Sequence, residues 1–491
     1  MSDKRNRPIG ALCALAIAAA IVFVPARVKP DASSQSDTAR STQPPQRQSP
    51  SKKQTQNQNK APGPGQPKQP EKQKKQKEPP PPPTPRPDQH VVIISIDGMI
   101  PDYYTRPAEL GLTVPTLTSM KLGGAYADGV SGVYPTLTYP SHTTIVTGVR
   151  PGVHGIVENR VFHPPTEPQT GEWYWFSSAI KSETLWQAAK KGGLSTGAVG
   201  WPVTAGADID YNVPEIWNPA EHPPTPLRAL QNSTPGLIQK VLATAKPATG
   251  DNMRTTIAEF VIKTYRPNLM LVHLVELDES QHEYGPRTPQ AIETMQREDG
   301  YIGRILKAVR DAGIFDKTTI FVVSDHGFAE VNKYFEPNVR LVKEKLITLG
   351  AGEKPVSWKA VAVPSGGSCA IRLNDPKDTE TADKVIEVFS KIALKNPSPL
   401  SQVVGRKELD RLEAVPKALV MLDASPGYEF DGEFTGAEIR DSGKSHRGTH
   451  GYLPGRVEMH SSLLVYGDAA RVGASIPLAL MIDIAPTAAG L

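Results

Sequence analysis

Beyond residue 89, the chain alternates short, uninterrupted apolar runs with segments of helical periodicity. Five apolar runs have the length of a strand: VVIISI (91–96), STGAVG (195–200), LMLVHLV (269–275), TTIFVV (318–323) and SSLLVYG (461–467). Continuous apolar strands of this kind are typical of a parallel sheet that is buried on both faces.

Helical patterns lie between several of these runs. SETLWQAAKKG covers residues 182–192, and EDGYIGRILKAVRDAG covers residues 298–313. The second segment places apolar residues at positions 302, 305, 306 and 309, which form one helical stripe, and it ends at Gly313. The alternation predicts an α/β, doubly wound fold, with a mostly parallel sheet and helices on both of its faces.

Two parts of the chain depart from this rhythm. Residues 331–445 fit it poorly, and we interpret them as a smaller subdomain inserted into a domain of residues 90–491. The last segment, IPLALMIDIAPTAAGL, is predicted to turn at Pro486 and to continue as a helix to the end of the chain.

The start of the chain has the composition of an export signal. Residues 1–26 combine the basic side chains Lys4, Arg5 and Arg7 with an uncharged, largely apolar run that ends at Ala26. The run is long for a signal peptide and about the minimum for a membrane span, so a cleaved signal peptide and a retained anchor both fit. Either interpretation predicts an extracytoplasmic protein, in the periplasm or at the cell surface.

Residues 27–89 form a linker rich in proline, glutamine and lysine. Within residues 41–90, 14 positions are proline and only Ala61 is hydrophobic. Such a segment buries too little apolar surface to offset its chain entropy, so we predict disorder. Its lysines could contact a membrane or a cell-wall polymer, although a solvated linker is the simpler interpretation.

The net charge of the chain is unevenly distributed. It is +4 overall, but the first 90 residues carry 16 Lys and Arg against 6 Asp and Glu, so residues 91–491 have a net charge of −6. The folded part therefore has no excess of positive charge with which to bind a phosphate backbone. No specific nucleic acid binding is expected.

Acidic residues follow three of the predicted strands. Asp97 follows the first strand, Asp278 follows the third, and Asp325 follows the fourth with His326 beside it. The carboxyl ends of parallel strands meet at one edge of the sheet, where ligands bind. A single Asp at such a position usually belongs to a turn or caps a helix. Three carboxylates together would repel each other, which predicts one or two divalent cations.

Histidine residues extend this candidate site. His282 lies four residues after Asp278, on the same face of a helix, and this spacing suits a metal with oxygen and nitrogen ligands. His450, in GTHGY, is predicted as the third ligand beside them. His446 is interpreted as a solvated side chain.

The segment YPTLTYPSHTTIVTG (134–148) supplies a hydroxyl group. Pro140 suits the first turn of a helix and Gly148 its end, which places Thr138 just before the helix N-terminus, where N–H groups favour an anion. For an isolated threonine, helix capping is the simpler interpretation. Beside a zinc ion, the pKa of the hydroxyl would fall and Thr138 would become a nucleophile.

Taken together, these segments resemble the type I phosphodiesterase / nucleotide pyrophosphatase family of the alkaline phosphatase superfamily. Six motifs occur in the order of that family, from about residue 91 onwards: IISIDGMIPDYY, PTLTYPSHTTIVTGVRPGVHGIVEN, WPVT, ELDESQHEYGP, VVSDHG and GTHGY. The resemblance implies a two-zinc (Zn²⁺) hydrolase. It would cleave phosphodiester or pyrophosphate bonds of small substrates, nucleotides above all, through a phosphoryl-threonine intermediate.

The resemblance also implies a role for each matching residue. The zinc ligands would be Asp278, His282 and His450 at one site, and Asp97, Asp325, His326 and the hydroxyl of Thr138 at the other. Asn159 would donate to a non-bridging phosphoryl oxygen, and Tyr139 and Trp217 would stack a nucleotide base. Ser141 stands where the family usually has asparagine, and WPVT replaces the commoner WPGS. Neither departure removes a ligand, but both bear on substrate preference.

Other functions remain open at this point. A phosphomonoesterase or phosphonate hydrolase of the same superfamily is one, although residues 134–148 contain no arginine that would favour a dedicated monoesterase. A sulfatase would need Cys or Ser in a C/S-x-P-x-R setting, which does not accompany Thr138. A non-catalytic surface binding protein would be expected to lack a ligand or the nucleophile, and all of them are present.

Overall fold

The fold is described from a computed structural model. The residues it describes are 86–219, 227–246, 248–443 and 446–491. The predicted signal or anchor at 1–26 and nearly all of the predicted linker at 27–89 lie outside these residues. Within the described ranges, no helix combines the length and the apolar character needed to cross a membrane.

The described residues contain 20 strands. They are β1 His90–Ile96, β2 Ala125–Ala127, β3 Val130–Ser131, β4 Thr196–Val199, β5 Tyr211–Val213, β6 Leu269–Leu274, β7 Thr318–Val323, β8 Ala329–Phe335, β9 Ile347–Leu349, β10 Pro355–Trp358, β11 Ala360–Ser365, β12 Ser368–Leu373, β13 Leu400–Val404, β14 Val420–Ala424, β15 Gly427–Phe430, β16 Ile439–Asp441, β17 Gly448–Thr449, β18 Leu463–Gly467, β19 Ala474–Ile476 and β20 Ala479–Leu480.

Fourteen α-helices are described beside the strands. They are α1 Asp102–Thr105, α2 Pro115–Gly123, α3 Thr138–Thr147, α4 Pro151–His154, α5 Leu185–Lys191, α6 Leu227–Asn232, α7 Leu237–Leu242, α8 Gly250–Tyr265, α9 Glu276–Tyr284, α10 Pro289–Asp311, α11 Pro337–Lys343, α12 Thr379–Ala393, α13 Arg406–Arg411 and α14 Ile484–Ala489.

The largest sheet has eight strands in the order β19-β2-β18-β7-β1-β6-β4-β5. β1 pairs in parallel with β6 and β7, and β4 pairs in parallel with β5 and β6. β18 is antiparallel to its neighbours β7 and β2, so it runs against the other strands of this sheet. The predicted α/β fold with a mostly parallel sheet is confirmed, with the run at 461–467 as its antiparallel member.

The two faces of the sheet are covered by different helices. Val92, Ile94 and Ile96 of β1 contact a core that includes side chains of α2, α8 and α10. Val91 and Ile93 point the other way, into a core that includes side chains of α3, α5 and α14. Because every β1 side chain is buried, each of its valines and isoleucines adds about 1.5–3 kcal/mol of hydrophobic stabilisation. This double coverage explains the unbroken apolar runs in the sequence.

The predicted insertion contains an antiparallel sheet in the order β11-β12-β14-β13. It has its own apolar core, to which Val385 and Phe389 of α12 and Ile371 of β12 belong. After this sheet, β15 and β16 pair with the two sides of β8, and β17 also pairs with β8 before the chain enters β18 of the main sheet.

The C-terminal helix differs from the prediction at both ends. α14 begins at Ile484, after a 3₁₀ turn at Met481–Asp483, and ends at Ala489. Pro486 is thus the third residue of the helix rather than the turn that precedes it. A proline is tolerated in a first helical turn because no N–H is needed there.

Candidate metal centre

Six acidic and imidazole side chains come together at the carboxyl end of the central strands. They are Asp97, Asp278, His282, Asp325, His326 and His450. Asp97 follows β1 directly, and Asp325 and His326 follow β7 after one residue. Asp278 and His282 lie on α9, which begins two residues after β6, and His450 follows β17. The topology therefore brings four separate chain segments to one edge of the sheet, as the sequence predicted.

The imidazole of His326 is at the centre of this arrangement. Its Nε2 lies 3.1 Å from Asp325 Oδ2, 3.2 Å from Asp97 Oδ1 and 4.0 Å from Asp278 Oδ1. His450 Nε2 lies 3.7 Å from Asp278 Oδ1. Ligand atoms of Asp97, Asp325 and His326 lie within 4.8 Å of one another, and so do those of Asp278, His326 and His450.

His282 occupies the edge of the group. Its Nε2 lies 3.4 Å from Asp278 Oδ2, one helical turn away, and its ring centroid is 5.2 Å from that of His450. The closest set of ligand atoms around Asp278 therefore includes that of His326, whereas the family resemblance assigns His282 to this zinc site. The division of the six side chains into two zinc sites stays a prediction.

Backbone carbonyls orient the three histidine rings. Nδ1 of His282, His326 and His450 lies 2.9, 3.1 and 2.9 Å from a carbonyl oxygen, respectively. Those carbonyls belong to Gly448, Gly327 and Thr136. Because a carbonyl oxygen only accepts, each Nδ1 carries a proton, which leaves each Nε2 as the ring atom that could bind a cation beside the carboxylates.

Several ligand atoms of this group are buried and have no hydrogen-bond partner among the described residues. They are Asp97 Oδ1, Asp278 Oδ1, Asp325 Oδ2 and His326 Nε2. Leaving such atoms unpaired is costly, and a cation would satisfy them all. Mixed carboxylate and imidazole donors suit Zn²⁺, so the residues present fit this ion.

The electrostatics of the group favour the same conclusion. Burial, followed by the charge of Asp97, raises the pKa of Asp278 well above its ordinary value and that of Asp325 to about 7. Burial also opposes ionisation of Asp97, but the neighbouring imidazoles of His273 and His326 outweigh it and hold its pKa well below the usual range. Three ionised carboxylates therefore need a further positive charge here.

Thr138 is the first residue of α3, with Leu137 as the N-cap, one position further into the helix than the sequence predicted. The side chain is 8% exposed. Asn159 is held close by, because its Oδ1 accepts a hydrogen bond of 2.9 Å from the backbone N–H of Tyr139. That bond leaves the Asn159 NH₂ group to donate elsewhere.

A cavity of about 580 Å³ adjoins these residues. Leu137, Asn159, His282 and His450 line it on one side. Residues 361–365 of β11 also line it, so the antiparallel sheet of β11 to β14 forms part of its wall.

Residues 91–453 match the family described as type I phosphodiesterase / nucleotide pyrophosphatase. The chain belongs to this family. Human ectonucleotide pyrophosphatase/phosphodiesterase family member 1 is 28% identical over 250 residues, which are 49% of this chain and 23% of that protein. Venom phosphodiesterase of Naja atra is 23% identical over 247 residues, 49% of this chain and 26% of that protein.

The chain thus spans about a quarter of the length of these curated relatives. Among solved structures, an inactive variant of murine ectonucleotide pyrophosphatase/phosphodiesterase 5 in complex with AMP superposes with a TM-score of 0.58. Its sequence identity is 21%, and the match covers 81% of this chain and 93% of that chain. This likeness supports the alkaline-phosphatase-like fold of the family.

One departure from the family's commoner WPGS motif has a visible structural consequence. Val203, which replaces the glycine, has a φ of 58°. A β-branched residue rarely adopts a positive φ, whereas glycine does so freely. The backbone of this turn therefore keeps a conformation that suits the family's glycine.

The two aromatic residues assigned to base stacking belong to one packed cluster. Tyr139 is fully buried, and its ring lies edge-to-face on Trp173 at a centroid distance of 5.1 Å. Trp217 lies 5.1 Å from Trp173 and 5.3 Å from Trp175. Trp173, rather than Tyr139, lines the cavity. Base stacking by Tyr139 and Trp217 stays a prediction, and Trp173 separates the two rings in this structure.

His446 is not a solvated side chain, so that interpretation was wrong. Its side chain is 27% exposed, and Nε2 lies 2.7 Å from Glu429 Oε1. The ring is stacked on His282 at a centroid distance of 5.4 Å. The short spacing between His446 and His450 brings both histidines to the same cavity.

Two further buried histidines were missed from the sequence. His273 Nε2 lies 3.2 Å from Asp97 Oδ2, and His142 Nε2 lies 2.9 Å from the hydroxyl of Ser95. His273 could have been found, because a histidine within the buried apolar run LMLVHLV needs a polar partner. His273 thus contacts the proposed ligand Asp97, and His142 contacts the backbone of Thr138, with Nδ1 2.8 Å from its carbonyl oxygen.

Glu158 is a buried carboxyl in the wall of the same cavity. Its side chain accepts a hydrogen bond of 2.7 Å from the Ser365 hydroxyl, and burial raises its pKa from 4.5 to about 7. The folded protein therefore holds a proton that the unfolded chain releases above pH 4.5. The stability that Glu158 contributes is fully present below about pH 4.5 and is lost as the pH rises through 7.

We expect Glu158→Gln to remove this pH dependence. The amide keeps an acceptor for Ser365 but cannot ionise, so the variant should be more stable than the wild type by on the order of 1–3 kcal/mol at pH 8 and nearly equal to it at pH 5. Urea unfolding of the zinc-saturated proteins at both pH values measures this difference. Glu167→Gln, at an exposed position of the same region, is the control. Equal stabilities of Glu158→Gln and wild type at pH 8 would contradict the prediction.

Proposed function

We propose that this chain is an exported, zinc-dependent hydrolase of phosphodiester or pyrophosphate bonds, with nucleotides and related small diesters as substrates. The observation that carries the proposal is the convergence of unpartnered, buried ligand atoms beside the N-terminus of α3. Membership of the phosphodiesterase / pyrophosphatase family supports the reaction class.

We assign two Zn²⁺ ions to the residues described above. The proposed ligands are Asp97, Thr138, Asp278, His282, Asp325, His326 and His450. Bound zinc would lower the pKa of the threonine hydroxyl and neutralise charge on the phosphoryl oxygens. The matching oxygen and nitrogen donors support this assignment, since three of the carboxyls cannot ionise together without a cation.

In the proposed reaction, Thr138 Oγ attacks phosphorus, and the bond from phosphorus to the leaving group breaks. The product of this step is a phosphoryl-threonine, and water then breaks the Thr138 Oγ–P bond and restores the hydroxyl. The Asn159 amide donates to a non-bridging oxygen throughout, with its Oδ1 fixed by Tyr139 N–H. Positioning and charge stabilisation of this kind account for most of the catalysis in phosphoryl transfer.

The proposal is tested by comparing esters of one leaving group. We expect the zinc-loaded protein to hydrolyse bis(p-nitrophenyl) phosphate with a kcat/KM about 100-fold above that for p-nitrophenyl phosphate. A panel of dinucleotides, nucleotide sugars, nucleoside triphosphates and lipid phosphodiesters then identifies the preferred substrate class.

Three results would contradict this function. Faster hydrolysis of the monoester would favour a phosphomonoesterase of the same superfamily. A preference for phosphonate esters would favour a phosphonate hydrolase. No hydrolysis at all by protein with a full complement of zinc would favour a non-catalytic binding protein.

A further inference from the structure

Two helices meet at one buried carboxylate behind the metal centre. Asp251, the second residue of α8, is fully buried. Its Oδ2 accepts hydrogen bonds of 2.6 Å from the Val275 N–H and 2.7 Å from the Glu276 N–H, at the start of α9. In return, the Asp251 N–H donates a bond of 3.0 Å to Glu276 Oε1. Each helix therefore caps the other.

The cap matters because α9 has no local one. Its N-cap residue, Val275, cannot accept a side-chain hydrogen bond, and the first N–H groups of a helix have no partner within it. A carboxylate there pairs with these N–H groups and interacts favourably with the helix dipole. Asp251, 24 residues earlier in the chain, supplies it.

Arg254 fixes the capping carboxylate. Its Nη1 lies 3.2 Å from Asp251 Oδ1, and both side chains are 0% exposed. One oxygen of Asp251 is thus occupied by the guanidinium and the other by α9. Neither side chain reaches solvent, so this ion pair holds the Asp251 carboxylate in one position. The carboxylate in turn fixes the position of the first residues of α9.

We propose that Asp251 and Arg254 are positioning residues for the metal centre. α9 has nine residues and carries two proposed ligands: Asp278 is its third residue, and His282 lies one turn further on. Movement of the α9 N-terminus displaces Asp278 Oδ1 from His326 and His450, which lie 4.0 and 3.7 Å away. This inference rests on the proposed zinc site but not on the proposed reaction.

The carboxyl of Glu298 completes the surroundings of this pair. Carboxylate oxygens of Asp251, Glu276 and Glu298 lie within 4.8 Å of one another. Arg254 already provides a positive charge to these three carboxylates. We therefore interpret the carboxylate group as support for α9 and not as a third metal site.

The test compares Asp251→Asn with a matched cap variant. Asp378 caps α12 in the inserted subdomain by accepting from the Thr381 N–H at 3.0 Å, so Asp378→Asn removes one charge from an equivalent position on a different helix. Zinc release to a chromophoric chelator is measured for both, together with the absorption spectrum of the cobalt-substituted proteins. Total metal content is determined by elemental analysis.

We expect Asp251→Asn to release zinc at least about tenfold faster than wild type and to shift the cobalt bands, since outer-shell changes typically cost 10–100-fold in metal affinity. Asp378→Asn should release zinc as wild type does. Equal release rates for Asp251→Asn and wild type, or equal acceleration in both variants, would overturn the proposal. Loss of a third bound metal ion from Asp251→Asn would overturn it too, in favour of a separate metal site.

A second substitution covers the case in which Asp251→Asn does not fold. Arg254→Lys keeps the buried charge but loses the planar guanidinium that holds Asp251, so we expect an intermediate, several-fold acceleration of zinc release. Wild-type release from folded Arg254→Lys would also count against the inference. These readouts remain valid if the protein hydrolyses no ester, which separates this inference from the proposed function.

Discussion

Replacing Thr138 with alanine is expected to lower the turnover of phosphodiesters by about 10³-fold or more, because alanine has no hydroxyl with which to attack phosphorus. Thr138 begins α3 directly after Leu137, which lines the cavity, and the amide of Asn159 is held nearby through Tyr139. Three ligands of the same proposed zinc site remain in the variant. We therefore expect its zinc content, measured by elemental analysis, to stay near that of wild type.

Two controls separate loss of the nucleophile from damage to α3. Thr147→Ala removes a hydroxyl from the other end of this helix, where it donates to the Thr143 carbonyl at 2.7 Å, and should leave turnover unchanged. Thr138→Ser keeps a hydroxyl and should retain measurable hydrolysis. Wild-type turnover by Thr138→Ala would refute the assignment of the nucleophile.

Most of the main sheet could be predicted from the sequence because its strands are buried on both faces. Unbroken apolar runs such as Val91–Ile96 arise only where both sides of a strand need apolar contacts. The direction of Leu463–Gly467 could not be predicted, since an antiparallel strand buried on both faces has the same pattern. The sheet β11-β12-β14-β13 could not be predicted in the same way: its strands also have buried side chains on both faces, but they pair antiparallel, and β11 and β12 are joined by a short connection without a helix between them.

The convergence of Asp97, Asp278 and Asp325 could be predicted because each follows a strand of the parallel sheet, which is a local feature of the sequence. The residues that hold these ligands in place could not be predicted. His273 acts on Asp97 from a neighbouring strand, and Asp251 acts on α9 from a position 24 residues away in the chain. Such contacts depend on how helices and strands pack, and sequence spacing alone does not encode them. The same reason explains why Trp173 was missed between Tyr139 and Trp217.

Removal of metal by a chelator is expected to abolish hydrolysis and to lower the melting temperature by about 5 °C or more, since a ligand bound only to the folded state stabilises it. The physical reason is the group of buried atoms without hydrogen-bond partners within the described part of the chain, which includes Asp97 Oδ1, Asp278 Oδ1 and Asp325 Oδ2. Without a cation, these carboxyls repel one another and stay unpaired.

Stoichiometric zinc should restore both activity and melting temperature, and calcium should not, because imidazole nitrogens are poor calcium ligands. His326→Ala provides the sharpest variant: its Nε2 belongs to both close groups of ligand atoms, so its loss should lower the zinc content of both sites. His460→Ala, at a half-buried histidine outside these groups, is the matched control and should keep full zinc content. Full zinc content and full activity in His326→Ala would contradict the proposed metal centre, because among the described residues His326 is the one shared by the two close groups.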